Sequence, residues 1–438
     1  MVAREKIFTR LIVAILGLSL YPLAFALTST PPPIHIDRIV VNGNEQTKTE
    51  VILREITVSA GEWIDSAAIE ETQLRVTNLN LFQRVEVFPL RKQDSTYLVI
   101  SVTEKLYIYP LPFANWIGPN SNDFVYGFRY VQLNLGGMNR TVDASAWGGI
   151  DEGFTGLYTD PWISGTPGIG ALAILQYNAW WDSSTTKSRG FHRNLYSGLL
   201  GVSKRFTPEI TLYLYGGGQQ SRVETFNSES GTETDNMIRG RTELIQERRD
   251  LIELPHRGDY YHYWLDWMRF TAPWKNRWVL GFDRRVYYPL SSRWTLSLQG
   301  AAITSTGENP PYLQMKLGES IPMRGYTKLA DPGTFLAKGA FDLRYRLYPT
   351  RYWTWTTAPQ WLEKYVRDLK YGLSVSAFDE LGQAWNENET LKSKTLLTGY
   401  GIAFSFTLPY INILRLDCGF NPSDKARPNF RLEALAGL

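Results

Sequence analysis

From Leu106 to the C-terminus, large apolar residues take turns with small or polar ones, and this alternation limits the possible folds more than any other feature. Tyr400, Ile402, Phe404, Phe406 and Leu408 are interleaved with Gly401, Ala403, Ser405 and Thr407. Ile210, Leu212 and Leu214 are interleaved with Thr211, Tyr213 and Tyr215, and Trp294, Leu296 and Leu298 with Thr295, Ser297 and Gln299. Successive side chains of a strand point to opposite faces, so each such segment has one greasy and one polar face. A closed sheet with the greasy face outward is stable in lipid and can hold a polar lumen. The 15 Trp, 25 Tyr and 20 Phe of the 438-residue chain suit the aromatic girdles of such a barrel. After the first 26 residues no apolar run reaches the roughly 18 residues that a spanning helix needs. A single cysteine, Cys418, excludes an intrachain disulfide, and a net charge of +3 is too small to argue for nucleic acid.

The pattern predicts an antiparallel barrel of 16 strands over residues 106–438, beginning near residues 106, 124, 139, 152, 168, 191, 210, 236, 260, 276, 294, 335, 370, 396, 412 and 429. An even number puts both ends of the barrel chain on the periplasmic side. Outward connections such as 182–190, 225–235, 385–394 and 421–427 are polar and rich in Ser, Asn and Gly. Inward turns such as Phe206-Thr207-Pro208-Glu209 are short. The inward connection 349–368 is long, and its segment Trp361 to Leu369 reads either as a short interfacial helix or as an aromatic turn. Arg284 falls on the apolar parity of its strand and requires a bulge or a rim position.

Residues 1–26 read as a secretory signal: Arg4, Lys6 and Arg10 precede an apolar stretch, and Ala24-Phe25-Ala26 is a small-x-small cleavage site. A short tether follows. Residues 34–105 then change rhythm, to strand, helix, helix, strand, strand. Ile36, Ile39 and Val41 mark the first strand, Thr49 to Ile56 and the segment capped by Asp65 the helices, and Val85, Val87, Leu98, Ile100 and Val102 the final hairpin.

The longest outward connection, 307–334, carries Met323-Arg324-Gly325-Tyr326. Folded inward, Arg324 would need carboxylates, because an unpaired buried charge is very costly. Parity puts Asp342 on strand twelve, and Phe378, Glu380 and Gly382 on strand thirteen, toward the lumen, and Asp379 away from it. A guanidinium between Asp342 and Glu380 would latch the loop. On parity alone these residues are equally readable as ordinary charges of a watery lumen.

Met323-Arg324-Gly325-Tyr326 resembles the Val-Arg-Gly-Phe/Tyr motif in the sixth outward loop of the BamA/TamA superfamily. Phe378-x-Glu380-x-Gly382 is similar to its strand-thirteen segment, with Glu where Asp is usual, and Asp342-Leu343-Arg344 to its strand-twelve segment. Arg249-Asp250 with Pro255 and Gly258 is similar to its turn between strands eight and nine. Ile39-x-Val41-x-Gly43-Asn44, Gly61 and the stretch from Leu79 to Glu104 resemble one POTRA domain. The C-terminal Leu438 departs from the terminal aromatic common in outer-membrane barrels.

The resemblance implies an outer-membrane barrel with its POTRA domain in the periplasm, a loop latch of Arg324, Gly325, Tyr326, Asp342, Phe378, Glu380 and Gly382, and a function in outer-membrane protein insertion. The implied partners are outer-membrane lipid and lipopolysaccharide, unfolded outer-membrane or secreted client proteins, and accessory periplasmic proteins. A weak seam between the first and last strands is expected. Pro110 and Pro112 each remove a ladder donor from the first strand, and Gly437 ends the last with little to pack. The two prolines read equally as the end of a linker. Alternative functions are translocation of a secreted partner, or a passive surface barrel. Catalysis is not expected, nor a cofactor or metal, since the four His are scattered and no nucleophile–base or phosphate-loop pattern stands out.

Overall fold

The computed structural model describes residues 32–116, 124–163, 165–182, 191–223, 228–325, 332–360, 362–386, 396–422 and 428–435. The expected signal segment 1–26 lies outside them. The N-terminal unit comprises β1 (Ile34–His35), β2 (Arg38–Asn42), α1 (Thr49–Leu53), β3 (Trp63–Ile64), α2 (Ser66–Asn78), β4 (Phe82–Lys92) and β5 (Ser95–Glu104). Asp65 starts α2 by accepting the Ala68 N–H at 2.8 Å, which satisfies a donor that the first turn leaves open. β5 lies between β2, which is parallel to it, and β4, which is antiparallel. Ile36, Val51, Ile52, Val76, Leu98 and Ile100 are fully buried in the core of this unit. Each contributes on the order of 1.5–3 kcal/mol by leaving water. The same core takes in Tyr107, Val131 and Leu133, so it continues without a break into the barrel.

Sixteen strands form one sheet with every neighbour antiparallel. The first eight are β6 (Ile108–Trp116), β7 (Phe124–Leu135), β8 (Arg140–Gly149), β9 (Glu152–Asp160), β10 (Ile169–Asp182), β11 (Phe191–Arg205), β12 (Ile210–Arg222) and β13 (Thr234–Glu247). The second eight are β14 (Gly258–Phe270), β15 (Asn276–Pro289), β16 (Trp294–Gly307), β17 (Phe335–Trp353), β18 (Leu369–Trp385), β19 (Leu397–Leu408), β20 (Asn412–Phe420) and β21 (Asn429–Leu435). No described helix is long and apolar enough to cross a membrane. Parity behaves as the alternation predicts. On β18, Tyr371, Ala377 and Asp379 are exposed on the outer face, while Ser374, Ser376, Phe378 and Glu380 are buried on the inner one. The stacked pair Phe335–Trp385 and the tilted pair Trp294–Tyr345 mark the two rims. The eleven residues from Phe335 to Tyr345, rising about 3.3 Å per step along a tilted strand, match an apolar band roughly 25 Å tall.

Two local expectations are resolved. β15 pairs with both neighbours without a register shift, so Arg284 needs no bulge. It sits near the periplasmic end of its strand, its guanidinium 5.1 Å from the Tyr261 ring. The long inward connection holds a three-residue 3-10 turn, Glu363–Tyr365, in place of the interfacial helix. Trp361 lies outside the described residues.

Candidate functional site: the inward loop, the seam and the barrel floor

The connection after β16 folds into the lumen because it is apolar on the side that enters. Met315, Leu317, Ile321 and Met323 bury themselves against Val279, Ile303 and Leu336 of the wall. Its root is pinned separately. The Tyr312 hydroxyl donates to Asp235 Oδ2 at 2.7 Å, and Arg193 Nη1 donates to the Tyr312 carbonyl at 2.7 Å from beside its ring.

At the tip, Arg324 meets the inner wall. Its Nε donates to Glu380 Oε1 at 2.6 Å, its backbone N–H to Glu380 Oε2 at 2.8 Å, and its Nη1 to Asp342 Oδ2 at 3.2 Å. The guanidinium lies 3.8 Å from the centre of the Phe378 ring, a close cation–π contact. Gly325 adopts φ +82°, and a Cβ there would stand 2.8 Å from the Phe420 carbonyl oxygen. A Cβ at Gly382 would stand 2.7 Å from Met323 Sδ. Arg324, Gly325, Asp342, Phe378, Glu380 and Gly382 are thus brought together, whereas Tyr326 and Gly437 lie outside the described residues.

Three participants escaped the sequence reading. Lys338 Nζ lies 3.1 Å from Glu380 Oε2 and donates to the Pro322 carbonyl at 2.7 Å. Asp417 Oδ1 is 4.0 Å from Arg324 Nη1. Gly419 lets the tip approach β20, since a Cβ there would stand 2.7 Å from Gly325 Cα. The lumenal parity of Lys338 was readable; its partner was not. Two cations facing three carboxylates make a cluster in which each desolvated charge has a counter-charge, the condition under which burial is tolerable.

Pro110 and Pro112 lie inside β6, paired opposite Tyr130 and Phe128 of β7, so they are strand residues and not the end of a linker. The sheet runs in order from β6 to β21, and among the described residues no ladder joins these two. Each is therefore an edge of the described sheet.

The N-terminal unit docks on the periplasmic turns. Arg205 Nη2 lies 2.6 Å from Glu55 Oε2, Arg257 Nη2 is 2.9 Å from Glu70 Oε1, Arg84 Nη1 is 3.1 Å from Asp368 Oδ1, and Arg75 pairs with Glu209. Burial works against the charge of both Arg75 and Glu209. The hydrogen bonds of their own pair outweigh it, leaving the Arg75 pKa above and the Glu209 pKa below its ordinary value. At the joint, Lys105 Nζ donates to Asn80 Oδ1 at 2.7 Å, and Asn412, the first residue of β20, donates to the same oxygen at 2.6 Å. Burial, helped by Lys370, pushes the Lys105 amine down to about 7. A cavity of about 920 Å³ remains between α2 and the turns, lined by Arg54, Glu70, Arg75, Arg205 and Arg248 among others.

Sixteen antiparallel strands with an inward-folded loop, floored by a small α+β domain, make a fold similar to that of a solved BamA barrel. The barrel lies in the outer membrane and the N-terminal domain in the periplasm. Residues 34–105 match the family model for POTRA, described as surface antigen variable number repeat. Over 74 residues the chain is 30% identical to the outer membrane protein assembly factor BamA of Nitratidesulfovibrio vulgaris. That match covers 16% of this chain and 9% of the relative. The fold is similar to BamA from Haemophilus ducreyi lacking POTRA domains 1–3, with TM-score 0.53 and 13% identity, covering 91% of this chain and 84% of that one. It is also similar to CdiB from Escherichia coli, with TM-score 0.51 and 10% identity, covering 98% and 96% respectively.

Proposed function

We propose that this protein inserts or assembles other proteins in the outer membrane. The observation that carries the reading is the pair of sheet edges at β6 and β21. Unpaired backbone in lipid costs several kcal/mol per group, so such edges are stable only if another strand supplies the missing bonds. An incoming client strand can pair there and leave sideways. β6 contributes through Pro110 and Pro112, which lower the number of donors that a β6–β21 closure could use. The POTRA sheet has edges of its own at β2 and β4, suited to adding an extended client segment. The loop tip touches β17, β18 and β20 together, so the latch of Arg324, Asp342 and Glu380 braces the wall beside the seam.

A second reading, translocation of a secreted partner through the lumen, is less well supported, because the loop occupies the outward half and the POTRA domain covers the periplasmic mouth. The test is a cysteine pair at Phe113 and Phe430, in a Cys418→Ser background, to lock the seam. Cells relying on the locked barrel should lose many outer-membrane proteins, and reduction should restore them. Normal levels with the lock closed would refute lateral insertion, while loss of one secreted protein alone would favour translocation.

A further inference from the structure

The β17–β18 hairpin does not stop at the periplasmic rim. Tyr345, whose ring meets Trp294 there, pairs with Val375, yet β18 begins at Leu369, six residues earlier, and β17 runs on to Trp353. At about 3.3 Å per residue and a tilt of about 40°, the hairpin reaches roughly 15 Å below the rim. Register shifts at Arg346/Tyr348 and Tyr348/Arg351 each place an extra residue in β17 and bend it. The inner face of this extension is occupied. Tyr352, opposite the inward-facing Lys370, has its ring 5.0 Å from the Arg84 guanidinium of the POTRA domain. Asp368 accepts from Arg84 Nη1 at 3.1 Å and from the Thr103 hydroxyl at 2.7 Å, and its own N–H donates to Thr354 Oγ1 at 3.0 Å. The Trp355 N–H donates to the Val366 carbonyl at 3.0 Å and continues the hairpin toward its turn.

The outer face has no such occupant. Pairing puts Tyr348 opposite Leu373, Arg351 opposite Tyr371 and Trp353 opposite Leu369 on that face. Tyr348 is 61%, Trp353 54% and Tyr371 45% exposed. They carry the lipid-facing row of Phe341, Leu343 and Tyr345 past the rim. The charge of this surface has one sign. No residue from Tyr345 to Thr357, or from Lys370 to Phe378, is acidic. Arg351 is exposed and, among the described residues, makes no ion pair and no side-chain hydrogen bond. On the adjoining turn the exposed Arg293 donates from Nη1 to the Tyr345 hydroxyl at 3.2 Å. By the same rise and tilt, Tyr348 lies about 5 Å and Arg351 about 10 Å below the rim, within side-chain reach of a headgroup layer roughly 5–8 Å thick.

We propose that this outer face is a docking surface for phospholipids of the periplasmic leaflet, with Arg351 taking a headgroup phosphate beside Tyr348, Tyr371 and Trp353, and with anionic headgroups preferred. A guanidinium presents two parallel donors to a phosphate, and Tyr and Trp rings favour the boundary between hydrocarbon and water. Because the inner face of the same hairpin holds Arg84 and Thr103, the lipid contact also fixes the POTRA domain relative to the bilayer. The surface would serve an inserting and a translocating barrel alike, and its test needs no client protein.

The test uses the full chain with Cys418→Ser and Thr350→Cys, carrying a nitroxide at the new thiol and reconstituted in phosphatidylcholine vesicles. A nickel chelate anchored on lipid headgroups should relax this label more than a soluble nickel chelate does. A label at Asp94→Cys, in the turn between β4 and β5, should show the reverse. For headgroup preference, the delipidated chain in nonionic detergent is mixed with equal amounts of phosphatidylglycerol and phosphatidylcholine, and the retained lipids are counted by native mass spectrometry. Arg351→Gln should lower the ratio of phosphatidylglycerol to phosphatidylcholine about fivefold, the scale of one basic side chain beside an anionic leaflet. Folding of the variant is checked by heat-modifiable gel migration; Arg351 is exposed, so its loss leaves no buried group unpaired. A label at Thr350→Cys as open to the soluble chelate as the one at Asp94→Cys, as a surface for a soluble partner or a second copy would be, overturns the proposal. A lipid ratio unchanged by Arg351→Gln overturns it too.

Discussion

Arg324 and Glu380, 56 residues apart in sequence, are joined twice: the backbone N–H of Arg324 and its Nε each donate to a different oxygen of the same carboxylate. The double bond matters because it couples the position of the loop backbone to the orientation of its side chain. A carboxylate that gripped only the guanidinium would leave the loop free to pivot about a long flexible stem.

Removing the side chain should therefore cost more than one surface ion pair. Arg324→Ala leaves Glu380, which is 2% exposed, with Lys338 alone. The expected loss is about 3–5 kcal/mol, the range for a broken buried pair. The temperature at which the barrel loses its compact migration in semi-native gels should fall; an unchanged temperature would count against the latch.

Gly419→Val should reproduce that loss without touching a charge. The new Cβ would stand 2.7 Å from both Gly325 Cα and Gly325 N, a distance that only backbone movement can relieve. The loop tip should lift, and protease added from outside should cut between Gly318 and Arg324 faster than in the wild type. Wild-type cleavage kinetics would show that the tip does not rest on β20.

Docking of the POTRA domain should weaken with salt. Its pairs Glu55–Arg205, Glu70–Arg257 and Arg84–Asp368 are partly exposed, so each is worth about 0–1 kcal/mol and is screened over roughly 8–10 Å at moderate ionic strength. Spin-label distances between the domain and the barrel rim should broaden as salt rises, and Arg205→Gln should broaden them at low salt. A distribution insensitive to both would assign the docking to the apolar contacts of Tyr107, Val131 and Leu133 instead.

The joint should also respond to pH. With its amine pushed down from 10.5 to about 7, docked Lys105 holds fewer protons than an undocked one throughout that interval. Docking must then strengthen as pH rises from about 7 toward 10 and stop changing below 7, where both forms are protonated. Lys105→Met should flatten the dependence. The readout is the same spin-label distance, and a dependence of opposite sign would refute the account.

Much of this arrangement was legible before any coordinates. The strand starts follow from alternation, because period-two side-chain direction is a property of extended backbone and needs no partner. The same parity put Asp342 and Glu380 inward and Asp379 outward. Parity gives a face and not a height, however, so it could not say that Lys338 shares Glu380 with Arg324, or that Asp417 and Gly419 come within reach of the tip from a strand two places further on. The segment Trp361 to Leu369 read equally as a helix or an aromatic turn, and local pattern could not choose between them. Helical spacing over nine residues is a weak local signal, and here only Glu363–Tyr365 of that segment closes a 3-10 turn before β18 begins at Leu369.

By itself the sequence determined the class of the molecule: a girdled barrel of sixteen strands behind one small α+β domain, with a basic loop long enough to enter the lumen. Only the tertiary structure decided which charges meet. The pairing of Arg324 with Glu380 and the seating of the POTRA domain on the turns both depend on strand stagger around the barrel. Stagger is set by hydrogen bonds between segments distant in the chain, and a Coulomb partner is chosen by distances of a few ångströms that no local pattern encodes.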